Sequence, residues 1–90
     1  MRSKICEIIN KLEKRPDGAC SQYADSQRRE LVSFDIKARM GDVDKTMLNQ
    51  INARVLAHKS EMDLEEQVFY INVYNELQDV LFRLNAGEKY

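Results

Sequence analysis

The longest helical pattern in the chain runs from Asp63 to Gly87, and both of its ends carry helix-boundary signals. Asp63 is suited to accept a backbone hydrogen bond at the N-cap, and Glu66 is placed to complete a capping box. Gly87 can adopt the left-handed conformation that ends many helices. Between these ends, one wide apolar stripe repeats with helical spacing: Phe69, Tyr70, Val73, Leu77, Val80, Leu81 and Leu84. The sequence therefore predicts a long helix whose stripe faces the core.

The first two turns of this helix carry a second apolar set, Leu64, Val68 and Ile71, on nearly the opposite side. A helix that served only one core would have polar side chains there. Two coverings are possible: another helix of the same chain, or a second molecule, either an identical copy or a target. We favour a second molecule, because a short chain gains most from sharing a core. With Tyr74, an aromatic residue of a type common at interfaces, these residues form the predicted protein-binding surface.

Length and composition restrict the class of protein. Ninety residues suit one domain with a modest core, and we expect a single helical domain over residues 1–90. The chain is 43% hydrophobic and 32% charged, which differs from the composition of disordered or membrane segments. It contains no apolar run that fits a signal peptide or a transmembrane span. We therefore expect a cytoplasmic protein without membrane contact.

Three further helices are predicted upstream, at residues 3–14, 20–40 and 43–59. A turn at 15–18 contains Pro16, and the connections between the predicted helices are short. Short connections favour antiparallel neighbours. The predicted fold class is all-α: a small bundle of three to four antiparallel helices that associates as a dimer.

The segment from Val32 to Met40 has a second interpretation, because its apolar and polar residues also alternate as in a β-strand. As part of a helix, it would place Val32, Ile36 and Met40 on a second apolar face. We prefer the helix, since no other segment offers a partner strand and a lone strand leaves its backbone groups unpaired. A strand here would need to pair with another copy of the chain.

Few residues suggest chemistry. The sequence has no phosphate-binding loop, HExxH motif or nucleophile elbow. Cys6 and Cys20 lack metal-binding spacing and are interpreted as small buried apolar residues, while His58 is expected near the end of the third helix. The carboxylates between Glu61 and Glu66 lack EF-hand spacing and match an acidic helix start. We predict no catalytic residue, no metal site and no cofactor.

A basic face is the alternative binding site. Four basic side chains of the second helix could form it: Arg28, Arg29, Lys37 and Arg39. No aromatic residue is interleaved to stack on bases, and the net charge of −1 provides no general attraction to nucleic acid. Contact with DNA is therefore the second hypothesis, as in a small DNA-binding or nucleoid-associated transcriptional regulator.

Six residues of the last helix have spacings similar to those in a helix of the small Hha-type modulators that bind nucleoid-structuring proteins: Asp63, Glu65, Val68, Phe69, Tyr70 and Leu77. The resemblance covers about fifteen residues, and the chain lacks the Trp-containing tail expected after that helix. It would imply a regulator that acts by protein contact. We do not assign the chain to this family on these residues.

The main hypothesis is a small, non-enzymatic protein-binding module that uses a helix face to contact a partner protein. At the level of fold, the analogy is with small inhibitors, immunity proteins, secretion chaperones and transcriptional modulators of bacteria or their phages.

Overall fold

The structure, a computed structural model, describes residues 1–90 and is entirely helical. The helices are α1 (Arg2–Glu13), α2 (Ser21–Arg39), α3 (Lys45–Leu56) and α4 (Leu64–Asn85), with a 3₁₀ turn at Lys59–Glu61 before α4. The predicted all-α fold with four helices is confirmed. None of the helices combines the length and the apolar character needed to cross a bilayer.

The segment from Val32 to Met40 lies in α2 and its C-cap, so the strand interpretation is wrong. Its apolar residues fall on two sides of α2: Phe34 and Ala38 are buried in the core, whereas Ile36 and Met40 are exposed on the outer side. A helical backbone satisfies its own hydrogen bonds, so this segment needs no pairing strand.

The four helices form a ring in which each packs against the next, and α1 also packs against α4. The helices α2 and α4 therefore lie at opposite corners. Their first turns lie at the same end of the bundle, because Cys20 at the start of α2 is hydrogen-bonded to Glu66 in the first turn of α4. Because α2 and α4 lie at opposite corners, their outward sides face away from each other.

The predicted stripe of α4 faces the core. All of its members are buried except Phe69, which is half-buried against the same cluster. The largest side chains on the other helices that meet it are Ile5, Ile8, Leu12, Leu31, Phe34, Leu48 and Ile51. This packing determines which side of α4 points to solvent.

Both predicted boundaries of α4 are present. Asp63 accepts a hydrogen bond from the backbone N–H of Glu66 at 2.8 Å, and Gly87 has a φ of 94°. The backbone N–H of Glu88 donates to the carbonyl of Arg83 at 3.1 Å, which closes a Schellman turn around that glycine. The helix is therefore limited at both ends by local sequence.

The side chain of Glu66 does not complete the predicted capping box. It is 1% exposed, and its Oε2 accepts a hydrogen bond from the backbone N–H of Cys20 at 3.1 Å. A Cβ added at Gly18 would overlap this carboxyl group, so only glycine leaves room for it. The negative group lies at the positive end of α2, which is a favourable place for it. Glu66 thus joins the loop after α1, the start of α2 and the start of α4.

Asn52 is a polar residue of α3 that is buried. Its Nδ2 donates to the backbone carbonyl of Tyr74 at 3.2 Å. The amide therefore serves as a polar link between α3 and α4, which apolar periodicity alone does not indicate.

The contact of Glu66 with Cys20 should contribute measurably to stability. In Glu66→Ala the backbone N–H of Cys20 loses its partner, and we expect a loss of about 1–3 kcal/mol in the free energy of unfolding. Glu66→Gln keeps an acceptor of similar shape and should lose less. Urea unfolding monitored by circular dichroism measures both. Equal destabilisation by the two variants would show that the charge, rather than the hydrogen bond, is what matters.

Candidate protein-binding surface

The outward side of α4 carries three exposed apolar side chains. Leu64 is 77% exposed, Val68 is 55% exposed and Phe82 is 73% exposed. Leu64 and Val68 belong to the second apolar set that the sequence indicates, and Phe82 lies five helical turns further along the same side. With half-buried Ile71, these residues are called the α4 surface below.

No other helix of the chain covers the α4 surface. The second apolar face of α2 lies at the opposite corner of the bundle, where Ile36 and Met40 are themselves exposed and Val32 is half-buried. The intramolecular covering is therefore excluded. The α4 surface is open to solvent.

The structure separates Tyr74 from the rest of the predicted surface. Its ring is half-buried on the α3 side of α4, and its hydroxyl accepts a hydrogen bond from Nε2 of Gln78 at 2.7 Å. The backbone carbonyl of Tyr74 also receives the amide of Asn52. Leu64 and Val68 thus lie together with Ile71 beside them, while Tyr74 belongs to the contact between helices.

A shallow groove of about 650 Å³ adjoins the N-terminal half of the α4 surface. Its lining consists of Pro16, Leu64, Glu65, Val68, Phe69 and Asn72. The half-buried Phe69 and Pro16 give it an apolar floor, and its rim is polar. An apolar centre with a polar rim is the usual organisation of a protein interface.

Phe82 was not among the predicted site residues, although its position could have indicated it. It is 18 residues from Leu64, and 18 residues are five turns of an α-helix. A helical wheel drawn over the whole of α4, and not only over its first turns, would have placed the two on one side.

Charged residues lie at both ends of the α4 surface. Glu65 is exposed at the N-terminal end and has no ion-pair or hydrogen-bond partner. At the other end, Arg83 is 2.6 Å from a carboxylate oxygen of Glu88 and 4.0 Å from one of Asp79. The hydrogen bond between Arg83 and Glu88 raises the pKa of the guanidinium and lowers the pKa of the Glu88 carboxyl. The charge of Arg83 is therefore already balanced within the chain by Glu88 and Asp79.

The four basic residues of the alternative site all lie on α2: Arg28, Arg29, Lys37 and Arg39. Lys37 is 3.1 Å from a carboxylate oxygen of Asp44, and Arg39 is 2.6 Å from one of Asp35. The arginines at positions 28 and 29 form no ion pair. Only half of the predicted basic set is thus unpaired. Arg28 and Arg39 are about three turns apart and lie on one side of α2, whereas Lys37 lies on the opposite side.

The cysteines and the histidine do not form a nucleophile–base pair. Burial and the negative charge of Glu66 raise the pKa of the Cys20 thiol, so it stays protonated at neutral pH. That thiol lies 3.9 Å from the backbone carbonyl of His58, whereas the His58 ring stacks on Tyr23 at 3.7 Å. Cys6 is half-buried on α1. The expectation of burial is met fully only for Cys20.

A second cleft, of about 370 Å³, lies between α2 and α3 near the stacked rings. Gln27 forms part of its wall, with Nε2 donating to the carbonyl of Ile51 at 3.3 Å and Oε1 without a partner. The structure groups no three His, Cys, Asp or Glu side chains in an arrangement that could hold a metal ion. The polar lining of the cleft also includes Ser26 and His58, together with the ion pair of Glu30 and Arg54.

Comparison of the chain with protein families, curated proteins and solved structures gave no match. The short resemblance of α4 to Hha-type modulators therefore gains no support from these comparisons. The functional argument depends on the geometry of the chain itself.

The two sides of α4 should respond differently to the same substitution. Val73 is 1% exposed, so Val73→Asp buries an unpaired charge at a cost of several kcal/mol, against a total stability of about 5 kcal/mol or somewhat more. Val68→Asp places its charge in solvent and should leave the fold intact. Thermal melting by circular dichroism distinguishes them. A cooperatively melting Val73→Asp protein would contradict the assigned core face.

Proposed function

We propose that this protein is a non-enzymatic protein-binding module, with the α4 surface as its contact site. The observation that carries the proposal is the exposure of Leu64, Val68 and Phe82 along one side of a helix whose opposite side is fully used by the core. Scattered exposed apolar residues are common on soluble proteins, but an aligned set beside an apolar groove is typical of a binding surface.

Three properties of the surface support protein contact over other uses. It lies on a rigid helix and not on a loop, so little order has to be gained on binding. The groove at its N-terminal half could accept an apolar side chain of a partner. Polar residues, among them Glu65 and Asn72, surround it and would form the rim of a contact.

The chain contains a matched pair of residues for a test. Val68 on α4 and Ile36 on α2 are β-branched and almost equally exposed, at 55% and 54%, but they lie on opposite sides of the bundle. We expect Val68→Asp to abolish retention of partner protein from a native lysate on the immobilised chain, and Ile36→Asp to retain it. Circular dichroism should show both variants folded.

Photo-crosslinking identifies the contact directly. A photoreactive amino acid in place of Leu64 should form crosslinks to protein, whereas the same residue in place of Ile36 should form few. The masses of the products show whether the partner is a second copy or another protein. Crosslinks from position 36 alone, or loss of retention in both aspartate variants, would contradict the proposal.

Contact with nucleic acid is the second candidate, and the unpaired guanidinium groups of Arg28 and Arg29 favour it. The ion pairs of Lys37 and Arg39 count against it, because their charges are already partly neutralised. If α2 bound DNA, retention on a duplex column would decrease steeply with salt, and Arg28→Ala with Arg29→Ala would reduce that dependence. We expect no retention near 0.15 M salt.

A further inference from the structure

The cleft between α2 and α3 has the composition of a small-molecule site. Its volume of about 370 Å³ falls within the range of known ligand pockets. Three buried residues, Gln27, Ile51 and Val55, form its floor, and Ser26 is exposed at its mouth. Ligand sites of this size combine an apolar lining with a few polar groups that orient the ligand. The polar groups of this cleft therefore indicate what kind of molecule fits it.

One polar atom in the floor of the cleft has no partner. Nε2 of Gln27 donates to the carbonyl of Ile51, whereas Oε1 accepts no hydrogen bond, although the residue is only 5% exposed. Buried polar side-chain atoms are normally hydrogen-bonded, so this acceptor is suited to a donor from outside the chain. Because Oε1 is closed to solvent, a ligand reaches it only when side chains at the rim move aside. The rim residues are exposed or half-buried and can do so.

An aromatic pair forms one end of the cleft. The rings of Tyr23 and His58 are stacked, with their centres 3.7 Å apart and an angle of 6° between their planes. Both residues belong to the lining. Aromatic rings attract one another in offset-stacked and edge-to-face arrangements. A flat ring beside this pair would gain such a contact and would also cover the apolar side chains of Ile51 and Val55.

The charged groups at the cleft are paired within the chain. Arg54 lies 2.5 Å from a carboxylate oxygen of Glu30, and Nδ1 of His58 lies 2.9 Å from one of Glu61. None of the lining residues carries an unpaired charge. A charged ligand would lose its hydration without gaining an opposite charge, which is unfavourable. The cleft therefore favours an uncharged molecule.

We propose that this cleft binds a small, flat, uncharged ring compound with a hydrogen-bond donor on its edge. The donor meets Oε1 of Gln27, and the ring packs against the pair of Tyr23 and His58. Ile51 and Val55 cover the apolar part of the ligand. The inference is independent of the α4 surface, because no residue of α4 lines the cleft.

Indole and benzofuran are matched probes for the donor. The two molecules have the same shape, but indole carries an N–H group where benzofuran has an oxygen. Each is titrated into the full chain while the backbone amide signals are followed by nuclear magnetic resonance. We expect indole to shift the signals of residues around the cleft, with a Kd below about 1 mM. Benzofuran should bind roughly tenfold more weakly, since it cannot donate the hydrogen bond.

The variant Gln27→Met tests the acceptor. Methionine keeps the length of the side chain but removes the unpaired oxygen, so the preference for indole over benzofuran should disappear. A general change of the fold would weaken both ligands alike, whereas loss of the preference identifies the contact between donor and acceptor. Circular dichroism confirms that the variant is folded.

Two exposed serines of α2 provide a test of the mouth that leaves the core unchanged. Ser26 and Ser33 are about two turns apart on this helix, but only Ser26 lines the cleft. Ser26→Phe places a ring at the mouth and should weaken the binding of indole at least about tenfold. Ser33→Phe is the matched control and should bind indole as the wild type does.

Several results would overturn the proposal. Among them are indole that causes no saturable shift, equal affinity of the wild type for indole and benzofuran, and a preference for indole that survives in Gln27→Met. The same holds if Ser26→Phe weakens binding no more than Ser33→Phe does. N-acetyltryptophanamide carries the indole ring between two peptide-like groups. If it bound more tightly than indole, the occupant would be a side chain of a protein and not a free ring compound.

Discussion

The buried carboxyl group of Glu66 is the contact on which the arrangement of this bundle depends. It is the polar link between the loop after α1, the first turn of α2 and the first turn of α4, and it occupies the space that Gly18 leaves open. Apolar packing is not directional, so it can bring helices together without defining their relative positions along the bundle axis. A buried hydrogen bond to one backbone N–H does define them, because a shift of either helix would leave both groups unpaired at considerable cost.

Two further polar contacts secure other corners of the bundle in the same way. The amide of Asn52 links α3 to the backbone of α4, and the carboxylate of Asp35 on α2 accepts a hydrogen bond from the hydroxyl of Tyr90. Burial, together with this hydrogen bond, raises the pKa of Tyr90, so the hydroxyl remains a donor over the physiological range. Each contact pairs a group that would otherwise be costly to bury. The small core is thus given one arrangement by a few specific polar links.

The exposed side of α4 follows from the same arrangement. In a ring of four helices, the inward stripe of α4 is used by the core, α1 and α3 cover its flanks, and α2 lies too far away to cover the remaining side. Leu64, Val68 and Phe82 are left in solvent by topology and not by poor packing. The function proposed above assigns these exposed side chains to contact with a partner protein.

The sequence by itself determined much of the local structure: the limits of α4 at Asp63 and Gly87, the core stripe of that helix and the helical character of three segments, because caps and apolar spacing act within a few residues. It left the segment from Val32 to Met40 open to two interpretations. It also indicated Leu64 and Val68 as a second face. Only the tertiary structure decided what covers each side chain. In the folded chain Asn52 and Glu66 are buried, and Tyr74 lies on the α3 side of α4. Lys37 and Arg39 form ion pairs with carboxylates, and Phe82 is part of the α4 surface. These outcomes depend on which helices are neighbours, and neighbours far apart in sequence leave no periodic signal in a single chain.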